Sequence, residues 1–196
     1  PDPGIRVRKV RKMTTMKKIS VFGGADPKEG SPAYLEAYKM GKLLGEAGLA
    51  VMTGGYVGTM EAASKGAKEA GTTVIGVTCD DIECYRPTTP NRWITEEWRS
   101  VSFKERLDTL VEKCDAAIAL GGGVGTLVEI SLTWNHLILH TIDPKPLILV
   151  GEGWHHLMET FFTTFNDYVS IASREYVSFA PSPEAAIEIL RMYAII

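Results

Sequence analysis

From Lys17 onward, short runs rich in Val, Ile, Leu and Ala alternate with helix-length amphipathic segments, and three of those runs end in paired or tripled glycine. A run of four or five residues that is apolar throughout is a strand buried on both faces. Strands of that kind need helices packed above and below them, and a β-then-α alternation supplies those helices. The pattern predicts strands over 19–22, 49–52, 73–77, 116–120 and 146–150, with a weaker one near Val177. It predicts helices over 32–47, 59–70, 102–113, 126–140 and 155–165, and another beginning near Pro183, with Gly48 as the stop of the first. Right-handed crossovers then give an α/β fold: a Rossmann-like, doubly wound parallel sheet in a three-layer α/β/α sandwich. Residues 79–98, with Pro87 and Pro90, show no period and read as a long irregular segment, which in a compact domain is functional or mobile.

In this architecture ligands bind beyond the C-terminal ends of the strands, where the glycines fall. Glycine admits positive φ and close approach of a ligand to the main chain, and a helix opening behind it offers free N–H groups to an anion. Two segments fit: Thr53-Gly54-Gly55-Tyr56-Val57-Gly58-Thr59 and Gly121-Gly122-Gly123-Val124-Gly125-Thr126. The expectation is that they stand on neighbouring strand ends and cradle a phosphorylated ligand, with Gly23-Gly24 after the first strand contributing. No GxxxxGK[ST] run is present, and the first strand leads into Gly23-Gly24-Ala25-Asp26-Pro27 rather than GxGxxG, so neither a P-loop nor a dinucleotide fingerprint applies.

Two side chains near these loops carry chemistry. Thr126-Leu127-Val128-Glu129 has capping-box spacing, which puts Glu129 at the third helical position. The same spacing also sets a carboxylate beside the anion cradle, facing the sugar of a bound nucleotide, where it can support an oxocarbenium-like centre and handle a water. Arg106 reads either as a solvated or salt-bridged surface arginine, the more common case, or as a planar donor turned towards the ligand or the carboxylate, and spacing alone does not choose.

Other residues weigh less. His136 and His140 share a helix face with Glu129, but HExxH is absent and no metal site is expected. Trp93, Trp98 and Trp134 are candidate stacking partners for a base, Trp93 foremost because of its place in the irregular segment. Cys79, Cys84 and Cys114 form no CxxC pair, which fits a reducing, cytoplasmic setting. No apolar run approaches membrane-spanning length. Residues 1–18 hold seven basic side chains against Asp2, so residues 1–16 read as a basic flexible leader before one nucleotide-binding domain over 17–196. The remainder is acidic, which argues against a nucleic-acid partner.

The segment from Gly122 to Glu129 resembles the PGGxGTxxE signature of the LONELY GUY (LOG) family, historically labelled lysine decarboxylase-like. TGGYVGTMEAASKGA, residues 53–67, is similar to that family's GGxxGxMEAxxxGA segment, and Arg106 falls where the family carries an arginine upstream of the next strand's Asp115-Ala116. The resemblance runs from about Lys17 to Phe165. It implies a cofactor-free, homodimeric phosphoribohydrolase that converts a nucleoside 5'-monophosphate, AMP or an N6-modified (cytokinin-type) AMP, to free base and ribose 5-phosphate. It assigns catalysis to Arg106 and Glu129, and the phosphate and ribose loop to Gly122, Gly123, Gly125 and Thr126. Gly23, Gly24, Gly54, Gly55 and Gly58 would shape the substrate pocket. Three positions depart from the family pattern: Gly121 replaces the signature proline, Val128 replaces a second glutamate, and Gly23-Gly24-Ala25 replaces Gly-Ser-Ser. A non-catalytic carrier of a nucleotide or of molybdenum cofactor, built on the same fold and loops, is the alternative.

Overall fold

The computed structural model describes residues 16–196, so the basic leader expected at 1–16 lies, apart from Met16, outside the described residues. The chain runs β1 (Lys18–Phe22), α1 (Pro32–Glu46), β2 (Ala50–Thr53), α2 (Thr59–Glu69), β3 (Val74–Cys79), α3 (Asp80–Tyr85), β4 (Glu96–Ser100) and α4 (Phe103–Glu112). It continues with β5 (Ala116–Ala119), α5 (Val124–Ile138), β6 (Leu147–Val150), α6 (Glu152–Thr164), α7 (Ile171–Arg174), β7 (Val177–Ala180) and α8 (Pro183–Met192). The seven strands form one sheet in the order β4-β3-β2-β1-β5-β6-β7, and every pairing is parallel. This is the three-layer α/β architecture that the alternation implies.

The central strands are buried residue by residue, as a sheet covered on both faces demands. One apolar layer joins Ile19, Val21, Val51 and Ile118 to α1, α2 and α8; the other joins Met52, Val77, Ala117 and Leu149 to α4, α5 and α6. On the first face α1 and α2 meet backbone to backbone. A Cβ on Gly41 would lie 2.0 Å from the Ala63 carbonyl oxygen, and one on Gly66 would lie 2.0 Å from that of Tyr38. The small residues of α2 are therefore its packing surface.

Two expectations need correction. Residues 79–98 are not irregular throughout: α3 follows β3 directly, and β4 pairs with β3 from Ile75↔Glu96 to Cys79↔Ser100. The strand is invisible to hydropathy because it is an edge strand, Glu-Glu-Trp-Arg-Ser, in which only Trp98 packs against the core. Its charges also keep the open edge from pairing with other chains.

The second correction concerns α5, which starts at Val124 on the N-cap Gly123. Thr126 is thus the third helical residue and Glu129 the sixth, so the two form no capping box. The helix begins at Val124, three residues sooner than the Thr/Glu spacing implies, directly after the Gly121–Gly123 run. A capping box does form one helix earlier, where Ser102 accepts from the Glu105 N–H and Glu105 reaches back to Ser102.

Candidate active site

The sheet order reverses direction between β1 and β5, which opens a crevice at the C-terminal ends of these strands. The glycine loops after β2 and β5 are not on neighbouring strands, as expected from the sequence; they flank β1, whose own Gly23-Gly24 turn fills the space between. Gly24 donates its N–H to the Gly121 carbonyl at 3.1 Å and accepts from the Thr59 N–H and hydroxyl, both at 2.9 Å. Gly58, with φ +75, lies so close to Gly24 and Ala25 that a Cβ would sit 2.5 Å from the Gly24 oxygen. All three loops are stitched into one rim.

Helix capping differs by location. Ser31, Ser102, Ser170 and Ser182 cap α1, α4, α7 and α8 through their side chains. The α5 helix begins on Gly123 with no side-chain cap, and its first bonded amide is that of Leu127, to the Gly123 oxygen at 3.0 Å. The amides of Val124, Gly125 and Thr126 have no acceptor among the described residues. Unsatisfied first-turn amides together with the helix dipole form an anion site.

These groups surround a cavity of about 300 Å³ lined by Gly23, Gly24, Tyr56, Arg86, Arg106, Gly123 and Glu129, among others. Gly125 and Thr126 line it too. A larger cavity, about 620 Å³, lies beyond Gly121 and Gly122 towards α6 and carries Glu36 but neither Arg106 nor Glu129. Volume alone favours the larger; the chemistry favours the smaller.

Arg106, 5% exposed, is fixed by two carbonyls at the ends of β3 and β2: Nε donates to Val77 at 2.8 Å and Nη2 to Gly54 at 3.1 Å. Its guanidinium carbon lies 5.8 Å from the Tyr56 ring centre. Gly54 carries no side chain because Arg106 occupies that space, where a Cβ would lie 1.9 Å from Nη2. The Tyr56 hydroxyl is held in turn by the Cys79 backbone, accepting at 2.8 Å and donating at 3.1 Å. Burial pushes the Arg106 guanidinium below its ordinary value, while Glu129 opposes that shift.

Glu129 is 8% exposed, and its carboxylate has no hydrogen-bond or ion-pair partner among the described residues. Burial pushes its pKa up to about 7, with Arg106 pulling the other way. The two side chains thus line one cavity with no hydrogen bond or ion pair between them among the described residues. A carboxylate with a pKa near 7 is suited to both taking and releasing a proton.

A family model described as the SLOG cluster4 family matches residues 16–161. The chain belongs to the SLOG cluster4 family. It is 31% identical over 183 residues to the cytokinin riboside 5'-monophosphate phosphoribohydrolase of Rhodococcoides fascians, covering 90% of each chain. Another enzyme with that name, from Arabidopsis thaliana, is 30% identical over 184 residues, or 90% of this chain and 82% of that one. Among solved structures, the molybdenum cofactor binding protein of Rippkaea orientalis matches with a TM-score of 0.72 and 28% identity, over 92% of this chain and 99% of that one. The molybdenum cofactor carrier protein of Chlamydomonas reinhardtii matches at 0.70 and 25% over the same shares.

In this SLOG cluster4 chain the residues singled out from sequence divide into two groups. Gly23, Gly24, Arg106, Gly123, Gly125, Thr126 and Glu129 line the smaller cavity. Gly54, Gly55, Gly58 and Gly122 do not: Gly54 seats Arg106, Gly55 packs against Thr78 and Gly76 of β3, Gly58 packs on Gly24 and Ala25, and Gly122 packs on Thr126 and lines the larger cavity. Trp93 lies outside both cavities, with Arg92 4.6 Å from its ring centre, and its buried indole N–H finds no acceptor among the described residues. Trp134 is a packing residue, edge-on to Phe161 and Phe162, with its N–H on the Ser173 carbonyl at 2.7 Å. His136 bonds Thr141 and His140 stands edge-on to Tyr176, and no group of three potential metal ligands occurs among the described residues. Sequence reasoning passed over Tyr56, Arg86 and Phe103, which also line the smaller cavity. Tyr56 stood inside a recognised glycine segment, whereas Arg86 lies where the sequence has no period.

Proposed function

We propose that this chain is a phosphoribohydrolase that cleaves the N-glycosidic bond of a nucleoside 5'-monophosphate, AMP or an N6-modified AMP, to free base and ribose 5-phosphate. The observation that carries this reading is the pairing of buried, unbridged Arg106 and Glu129 beneath the uncapped start of α5. The amides of Val124, Gly125 and Thr126, with the Thr126 hydroxyl, take the phosphate. Glu129 then faces the anomeric carbon. As the C–N bond breaks, the base leaves with the bonding electrons, and the ionised Glu129 offsets positive charge on the sugar. Glu129 takes a proton from the water whose oxygen bonds that carbon, and through solvent one proton is passed on to the departing base, so that Glu129 ends ionised and the reaction consumes one water. Arg106 keeps Glu129 partly ionised and offers its remaining N–H groups to the sugar. No step requires a metal or a cofactor.

The exposed apolar side chains of α5 and α6, Leu127, Val128, Leu157 and Phe161, support a homodimer. The relatives named phosphoribohydrolase support the activity, and the free thiols Cys79, Cys84 and Cys114 support a reducing compartment. No helix among the described residues is long and apolar enough to cross a membrane. A second reading, a non-catalytic carrier, is favoured by the fold match to molybdenum cofactor binding and carrier proteins. The test is a panel of nucleoside monophosphates assayed for free base, with nucleosides and triphosphates as controls. Release that depends on the 5'-phosphate supports the hydrolase; tight nucleotide binding without release from any member supports the carrier.

A further inference from the structure

We propose that Arg86 is a phosphate-positioning residue that closes on the ligand's phosphate from the wall opposite α5 and makes the site discriminate phosphorylated from unphosphorylated nucleosides. The inference rests on the nucleotide reading above and extends it to a residue no motif contains.

Arg86 is the exposed residue that ends α3, and it lines the same cavity as Arg106, Glu129 and the α5 amides. The α3 helix is densely acidic, with Asp80, Asp81 and Glu83, so an arginine there would ordinarily pair locally. Those carboxylates are already engaged. Arg99, on β4, bridges Asp80 and Glu83, and Asp81 accepts the Phe103 N–H at 2.8 Å. Arg86 itself makes no ion pair or side-chain hydrogen bond among the described residues. The same contacts stake α3 to the fold, with Glu83 also 3.3 Å from the Tyr56 hydroxyl, whose one proton it shares with the Cys79 carbonyl, so Arg86 is carried on a fixed element.

The charge of the cavity completes the case. Two arginines and a bare helix N-terminus face one buried carboxylate and Asp26. Arg86 also adds to the burial that lowers Arg106, so its field reaches the buried guanidinium. Arg86 and Arg106 repel each other across the cavity, and a dianionic group between Arg86 and the α5 amides offsets that repulsion. Glu129, on the sugar side, is left to the reacting carbon.

The test is calorimetric titration of AMP, ribose 5-phosphate and adenosine into wild type, Arg86→Ala and Arg86→Lys, with base-release kinetics alongside. Arg86→Ala is expected to weaken AMP and ribose 5-phosphate about 10- to 100-fold, as loss of a charge-assisted hydrogen bond does. Adenosine binding should stay within about twofold, KM should rise more than kcat falls, and Arg86→Lys should recover part of the affinity. Unchanged AMP affinity in Arg86→Ala, or equal loss for adenosine, overturns the assignment. A wild type that binds AMP with this Arg86 dependence but releases no base supports it while overturning the hydrolase reading. A wild type that releases base, paired with an Arg86→Ala of unchanged KM, overturns this assignment alone.

Discussion

Replacing Glu129 with glutamine tests the buried carboxylate before any substrate is known. Its pKa stands at about 7 in the folded protein against 4.5 for the free side chain, and burial is the cause. Between those values the folded chain holds a proton that the unfolded chain has released, so wild-type stability falls as pH rises from about 4.5 to about 7 and then levels off. At about 1.4 kcal/mol per pKa unit, the accumulated loss is about 3 kcal/mol. Glutamine binds no proton and escapes that loss. Relative to wild type, Glu129→Gln should gain about 2–3 kcal/mol of stability between pH 5 and pH 8. Any fixed cost of fitting the amide cancels in that comparison, as do the other titrating groups. Urea denaturation at the two pH values measures the difference directly. In melting temperature the relative gain is about 4–12 °C for a chain of this size. A stability difference between the two proteins that is the same at both pH values would refute the reasoning, because Glu129 would then ionise like an exposed carboxylate.

Other outcomes follow from the same geometry. In the proposed hydrolysis Glu129 acts ionised, so kcat/KM for base release should fall about tenfold per pH unit below about 7, as a pH–rate profile would record. Val124→Pro removes one cradle amide at the helix position where proline is tolerated, so nucleotide affinity should drop about tenfold with little change in adenosine binding or melting temperature. Gly41→Ala forces a methyl group onto the Ala63 carbonyl and should cost about 1–3 kcal/mol or more by chemical denaturation, while leaving nucleotide affinity of the folded fraction intact.

How far the sequence reveals this arrangement depends on what each signal encodes. Apolar runs such as Leu147–Val150 announce buried strands because nothing but burial accounts for them. The edge strand β4 hides, since its pairing is made by backbone groups and its side chains are mostly charged. Glycine spacing points to the rim of the smaller cavity but not to the part each glycine plays. Gly125 lies on the cavity, whereas Gly54 is small because Arg106 occupies the space beside it, a tertiary fact with no local trace. Thr126 and Glu129 have the spacing of a capping box and yet stand on the third and sixth helical residues, because the helix already starts on the N-cap Gly123. Arg86 is legible only once Arg99 is seen to occupy the carboxylates around it.

The most direct measurement is free-base release from AMP by the purified wild-type protein and by Glu129→Gln, with each protein's nucleotide affinity determined in parallel. The account predicts adenine and ribose 5-phosphate in equal amounts from wild type, and a rate about 10²- to 10⁴-fold lower from the variant with binding retained. Equal rates from the two proteins would contradict it.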